Sequence, residues 1–155
     1  EPITKEYKKG EFLAVSCMDL RLKLASVNDL KHFLIRVAGA NASKNTSSIS
    51  IPISKGIRNV FILPHTNCKM SYPKEDEFIQ DMREQLGWSK NKSETFFREE
   101  IEPLAIGNPI EFSIRFSEFL KKTFEPELGS PPINFVPGVI LTNEPRRPIA
   151  LIEKI

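Results

Sequence analysis

The sequence predicts an α/β fold: a mostly parallel central sheet flanked by helices, with an antiparallel strand at one edge. Three observations point to it. Short apolar runs bounded by polar or turn residues recur at 12–16, 33–37, 60–63 and 138–142, the pattern of strands buried on both faces. Between them, apolar residues repeat every three to four positions, as on a helix face. The chain has 155 residues, 40% hydrophobic and 27% charged, which is the size and composition of one globular domain spanning 1–155. Strands that alternate with helical patterns form parallel sheets through crossover connections.

In chain order, residues 1–10 are polar and read as an arm. After the first strand, Leu22, Val27 and Leu30 can share a short helical face, with Asn28-Asp29 as the turn out of it. The second strand follows, then a loop from Gly39 to Ser43. Ile49, Ile53 and Ile57 lie four apart and suit a helix over 47–56. Pro52 removes a backbone donor there and costs around 3 kcal/mol in a helix interior, so the helix is short, kinked or starts at Pro52.

The third strand, 60–63, precedes a helix expected from Pro73. Pro73 suits a first turn, Glu75, Asp76 and Glu77 favour the positive end of the helix dipole, and Gly87 suits the C-cap. Phe78, Met82 and Leu86 share one face. Ser93 is the expected cap of the next helix, with Phe97, Ile101 and Leu104 on one face and an end near Gly107. Asn108-Pro-Ile-Glu111 reads as a capping box opening a helix with Phe112, Phe116, Phe119, Leu120 and Phe124 inward. The alternation from Ile110 to Phe116 would also fit a strand; the cap and the spacing beyond Phe116 favour helix. Residues 125–137 read as a Pro-rich loop, 138–142 as the last central strand, and 149–152 as an edge strand after a turn over 143–148.

Two of these strands end in chemistry. The run at 12–15 leads into Ser16-Cys17-Met-Asp19-Leu-Arg21, and the run at 60–63 leads into Pro64-His65-Thr-Asn-Cys68. Cys17 and Cys68 are the two cysteines of the chain, and His65 is one of two histidines. Two soft thiolates and an imidazole form a tetrahedral Zn2+ set with a fourth position for a carboxylate or water. Asp19 and Arg21 could supply that carboxylate and its counter-charge. Both cysteines follow the C-terminal ends of expected strands, where open α/β sheets place ligand sites. The alternative is a small buried hydrophobe at each position, or a single Cys17–Cys68 disulfide competing with a metal. Trp88 and the two tyrosines have no motif around them; His32, at a strand start, reads as a solvated or hydrogen-bonded residue rather than a ligand, and Arg146-Arg147 as a solvated pair in a turn.

Composition excludes other classes. The formal net charge is +2 and dispersed, which argues against a nucleic-acid partner. No apolar run approaches the length of a membrane span. Residues 1–10 lack the apolar core of a signal peptide, so a cytoplasmic location is expected. Three Asn-x-Ser triplets, at Asn41, Asn45 and Asn91, read as loop composition.

Cys17-Met-Asp19-Leu-Arg21, Ile35-Arg36-Val37-Ala38-Gly39 and His65-Thr-Asn-Cys68-Lys-Met70, taken together, resemble the β-class carbonic anhydrases. That family carries C-M-D-x-R, R-N-A-G and H-T-x-C-G-M in this order. The resemblance is close from Phe12 to Met70 and loose beyond. It implies zinc on Cys17, His65 and Cys68, and hydration of CO2 to bicarbonate. It also implies an Asp19–Arg21 dyad: Arg21 forms a bidentate pair with Asp19, keeping it ionised and off the metal, while Asp19 either accepts a hydrogen bond from water in the fourth position or closes that position itself. Pocket walls contributed by a neighbouring subunit are implied as well, and the apolar faces carrying Phe112, Phe116 and Phe119 suggest a homodimer or dimer of dimers.

The chain departs from the family at Lys69, where the family has Gly, and at Val37, where it has Asn. The stretch between Gly39 and His65 looks shortened, and few residues precede Phe12. Two other readings stand beside CO2 hydration: hydrolysis of CS2 or COS on the same scaffold, and a non-catalytic binding protein stabilised by zinc. The second would need neither Asp19 nor Arg21.

Overall fold

A computed structural model describes residues 12–22, 32–144 and 149–152. The expected arm at 1–10, the face carrying Val27 and Leu30, and the Arg146-Arg147 pair lie outside the described residues. In chain order the elements are β1 (Phe12–Cys17), β2 (His32–Val37), α1 (Thr46–Ser54), β3 (Asn59–Leu63), α2 (Glu75–Leu86), α3 (Lys90–Phe96), α4 (Pro109–Thr123), β4 (Asn134–Ile140) and β5 (Ile149–Leu151). The strands form one five-stranded sheet in the order β2-β1-β3-β4-β5. All pairings are parallel except β4–β5, which is antiparallel, as the sequence predicts.

β1 is the pivot of this order. Val15 pairs with Ile35 of β2 on one side and Ile62 of β3 on the other. The chain runs outward from β1 to β2, then returns to the opposite side of β1 to add β3. That reversal makes the C-terminal ends of β1 and β3 a topological switch point, the usual ligand position in open α/β sheets. Leu13, Val15, Val60 and Ile62 are fully buried and anchor the core there.

α4 covers β3 and β4 with Phe112, Phe116 and Leu120, all buried. Its N-terminus is capped by Asn108, whose side-chain oxygen accepts from the N–H groups of Ile110 and Glu111 at 2.9 and 3.2 Å. One turn in, Ser113 enters the sheet. Its hydroxyl donates to the Ile62 carbonyl oxygen at 2.8 Å and accepts from the Gly138 N–H at 3.0 Å. A helix side chain thus bridges the β3–β4 ladder, and the buried backbone groups on both strands stay satisfied.

Several elements differ from expectation. β4 begins at Asn134, inside the expected loop, and contains Pro137. The Pro137 carbonyl accepts from Ile152 N–H at 2.9 Å, so its missing donor faces the short edge strand, where proline is tolerated. The cap of α3 is Ser89, accepting from Lys92 N–H, whereas Ser93 lies buried inside the helix and donates to the Ser89 carbonyl oxygen. α2 starts at Glu75, past Pro73, and has no fully buried residue; Phe78 stacks on Phe96 while Leu86 is exposed. Phe119 is 45% exposed rather than inward. α1 is the short alternative, nine residues with Pro52 inside.

Candidate metal centre

Cys17 is the last residue of β1, and His65 and Cys68 lie in the turn that leaves β3. The backbone of β4 places that turn. Ile140 N–H donates to the Pro64 carbonyl oxygen and Thr66 N–H to the Ile140 carbonyl oxygen, at 2.9 and 3.0 Å, so strand pairing continues one step past β3 and fixes His65. Asn67 then takes a left-handed conformation, φ 54°, which asparagine tolerates, and the chain turns back to Cys68. Thr66 and Asn67 are tied through their side chains to Thr142 and Asn143 beyond β4.

The result is a buried donor cluster. The two sulfurs are 3.9 Å apart, and the ligand atoms of Cys17, His65 and Cys68 all lie within 4.8 Å of one another. His65 Nδ1 lies 2.7 Å from the Thr66 carbonyl oxygen, which assigns the proton to Nδ1 and leaves a lone pair on Nε2. Nε2 is buried and has no hydrogen-bond partner among the described residues. An unsatisfied buried acceptor costs about 1–3 kcal/mol, and a cation between this nitrogen and the two sulfurs would satisfy it. Two sulfurs and one imidazole nitrogen suit Zn2+, so the residues fit the ion that the sequence predicts.

The electrostatics set the two thiols apart. The Cys17 thiol is lowered to about 4, chiefly by the hydrogen bond with Cys68 and against the effect of burial, with the Gly39 N–H donating to its sulfur at 3.3 Å. The partner thiol of Cys68 is pushed up by that same contact and by burial, as expected when two adjacent sulfurs share one proton. His65 is pushed down by burial but rises on balance, through Cys17 and the Thr66 carbonyl.

Asp19 and Arg21 stand at the rim. Arg21 Nη2 contacts Asp19 Oδ2 at 2.6 Å, Nε contacts both carboxylate oxygens at 3.0 and 3.1 Å, and the Arg21 N–H donates to Oδ1 at 2.9 Å. The guanidinium also donates to the Asn67 carbonyl oxygen at 3.1 Å, linking the Asp19 loop to the His65–Cys68 turn. These bonds hold the Asp19 carboxyl well below the usual carboxylate range. Its Oδ2 lies 3.6 Å from His65 Nε2, at the edge of the donor cluster.

The two departures are accommodated. Lys69 is exposed, and the non-glycine residues with positive φ among those described are Ala40 and Asn67, so the Lys69 backbone does not require glycine. Val37 pairs with Cys17 and accepts from Met18 N–H through its carbonyl, a contact that any side chain permits. Gly39 is required: it has φ +62°, and a Cβ would meet Ile106 Cγ2 at 2.8 Å. Sequence reasoning assigned no role to Arg36, which donates to the carbonyl oxygens of Cys17 and Asp19. Its signal was available, an arginine interrupting the apolar run of β2.

No protein-family model matches the chain, and no curated protein sequence matches it. Solved structures do. The chain is similar to β-carbonic anhydrase isoform I from Trichomonas vaginalis, with 18% identity, coverage of 97% of this chain and 88% of that one, and a TM-score of 0.73. It is similar to a carbonic anhydrase from Glaciozyma antarctica, with 21% identity, 94% and 83% coverage and a TM-score of 0.71. It is also similar to the apo form of a carbon disulfide hydrolase, with 17% identity, 95% and 80% coverage and a TM-score of 0.65. Likeness to these carbonic anhydrases over nearly the whole chain gives the protein, with its mostly parallel five-stranded sheet, a β-carbonic-anhydrase-like fold.

Proposed function

We propose that this chain is a zinc enzyme that reversibly hydrates carbon dioxide to bicarbonate and a proton. The observation that carries the reading is the Asp19 carboxylate, gripped by Arg21 and held 3.6 Å from a His65 Nε2 that has no hydrogen-bond partner among the described residues. A purely structural metal site needs no such dyad, which disfavours a non-catalytic zinc-stabilised binding protein. Cys17, His65 and Cys68 would hold the ion, which when bound supplies the Lewis acidity that makes water a nucleophile near neutral pH. Two thiolates offset the ion's charge, so orientation by the protein matters more. Asp19, kept ionised by Arg21, accepts a hydrogen bond from the attacking water and aims its remaining lone pair at the substrate carbon. The Asn67 carbonyl oxygen holds Arg21 in turn, and Asn143 beyond β4 holds the Asn67 side chain.

Hydrolysis of CS2 or COS is the second reading, favoured by the similarity to a carbon disulfide hydrolase. These molecules are also linear and uncharged, and the same donors would serve. Zinc analysis with stopped-flow CO2 hydration, run beside a CS2 hydrolysis assay, tests both. Hydration without CS2 turnover supports the first reading, and the reverse supports the second.

The proposal includes one working domain over 1–155, acting as a homodimer or dimer of dimers without nucleic acid or membrane. Phe112 and Phe116 are spent on the chain's own core, which corrects the expectation that they supply the interface. Support comes instead from Met18 and Leu20, 62% and 91% exposed on either side of Asp19, and from Phe119. Among the described residues no helix is long and apolar enough to cross a membrane. Two free cysteines as metal ligands suit a reducing, cytoplasmic setting.

A further inference from the structure

We propose that Arg36 is a positioning residue for the centre: it fixes the backbone at Cys17 and Asp19 and so keeps the Asp19 carboxylate off the metal position. This rests on the metal reading given above. Arg36 stands on β2, in register with Ser16 of β1. Its Nε donates to the Cys17 carbonyl oxygen at 3.1 Å, and its Nη2 donates to the Asp19 carbonyl oxygen at 2.6 Å. One planar guanidinium therefore spans the peptide on both sides of Met18. Two neighbouring bonds join the same segments: Met18 N–H to the Val37 carbonyl oxygen at 3.1 Å, and Gly39 N–H to Cys17 Sγ at 3.3 Å. The segment 17–19 thus lies on a cradle formed by 36–39.

The Arg36 bonds are charge-assisted and go to backbone, so they locate the chain whatever its side chains do. Asp19 then has two independent anchors. Arg21 holds its carboxylate, and Arg36 holds its peptide. With Oδ2 only 3.6 Å from His65 Nε2, a modest rotation about the Asp19 backbone would bring the carboxylate among the donors. Arg21 can follow such a movement, because it is bonded to the same residue two positions away. Arg36 cannot follow it, because its base belongs to another strand.

The test uses Co2+ in place of zinc, because the visible spectrum of cobalt reports its ligands and responds when azide enters an open position. Parent protein loaded with Co2+ should change its spectrum on azide addition. Arg36→Met and Arg36→Gln should take up comparable cobalt and lose most of that response, at least tenfold in apparent azide affinity. Glutamine keeps a donor but cannot span both carbonyls, and it serves if the methionine variant does not fold. Adding Asp19→Asn to either variant should restore the azide response, because the amide is a poor ligand. A merely structural role for Arg36 would not be reversed by changing Asp19. Parental azide response in Arg36→Gln, or no restoration by Asp19→Asn, would overturn the proposal. A parent protein that binds no cobalt would overturn the metal reading first, and this inference with it.

Discussion

Arg21 grips Asp19 through both ends of one carboxylate, with four contacts between 2.6 and 3.1 Å from the guanidinium and the backbone N–H. A carboxylate bound in this way presents a fixed face to its surroundings. Here that face borders the Cys17–His65–Cys68 cluster, so the pair can orient a reactant or, if broken, occupy the metal's fourth position.

Arg21→Ala should therefore retain zinc, since the three primary ligands are untouched, yet lose CO2 hydration by roughly 10²–10⁴-fold. Crystallography of the variant should show an Asp19 oxygen on the metal. Parental turnover with the fourth position still open would reduce the pair to ordinary surface electrostatics.

Cys68→Ala removes one of three converging ligands. Zinc content should fall well below that of the parent, and the thermal midpoint should become insensitive to chelator, because metal binding and folding are linked. Zinc analysis reads the first effect and differential scanning calorimetry with and without chelator the second; a chelator-induced drop equal to the parent's would place the metal elsewhere.

Gly39→Ala tests the wall of the cradle. A Cβ there meets Ile106 at 2.8 Å and Met70 at 3.0 Å, on a backbone at φ +62°. The expected loss is about 1–3 kcal/mol from strain and crowding, measured by urea denaturation, together with weaker zinc retention because Gly39 N–H supports the Cys17 sulfur. An unchanged midpoint would mean that the turn shifts freely.

The exposed Met18 and Leu20 lead to a fourth expectation, a homodimer or larger assembly at micromolar concentration in light scattering. Leu20→Glu should lower the mass while leaving the circular dichroism unchanged. A monomer mass for the parent would remove the proposed neighbour from the site.

Much of this was legible in the sequence because ligands terminate buried strands. The apolar runs ending at Cys17 and before His65 place both groups at the same end of a parallel sheet, and strand order then brings them together. The errors on α3 and α4 have a shared physical source, the small hydroxyl residues. On α4 at ~100° per residue, the buried arc runs from Phe112 through Phe116 and Leu120 to Ser113 and Ser117, and all of these are buried. Counting serines as polar shifts the arc toward Phe119, which lies on its edge. Ser89 and Ser93 are one turn apart, and either could start α3 by sequence; burial of Ser93 decides for Ser89. Pro137 disguised the start of β4 because the permissive position beside a short edge strand depends on pairing with distant residues. The role of Arg36 depends on two carbonyls 17 and 19 residues away, and carbonyls leave no trace in composition.

The most direct measurement is stopped-flow CO2 hydration on protein of known zinc content, repeated after chelation and after zinc is restored. The account predicts about one zinc per chain, hydration well above buffer, its loss on chelation and its return with zinc. Stoichiometric zinc with hydration no faster than buffer, or freshly reduced protein without zinc and with Cys17 and Cys68 joined in a disulfide, would contradict it.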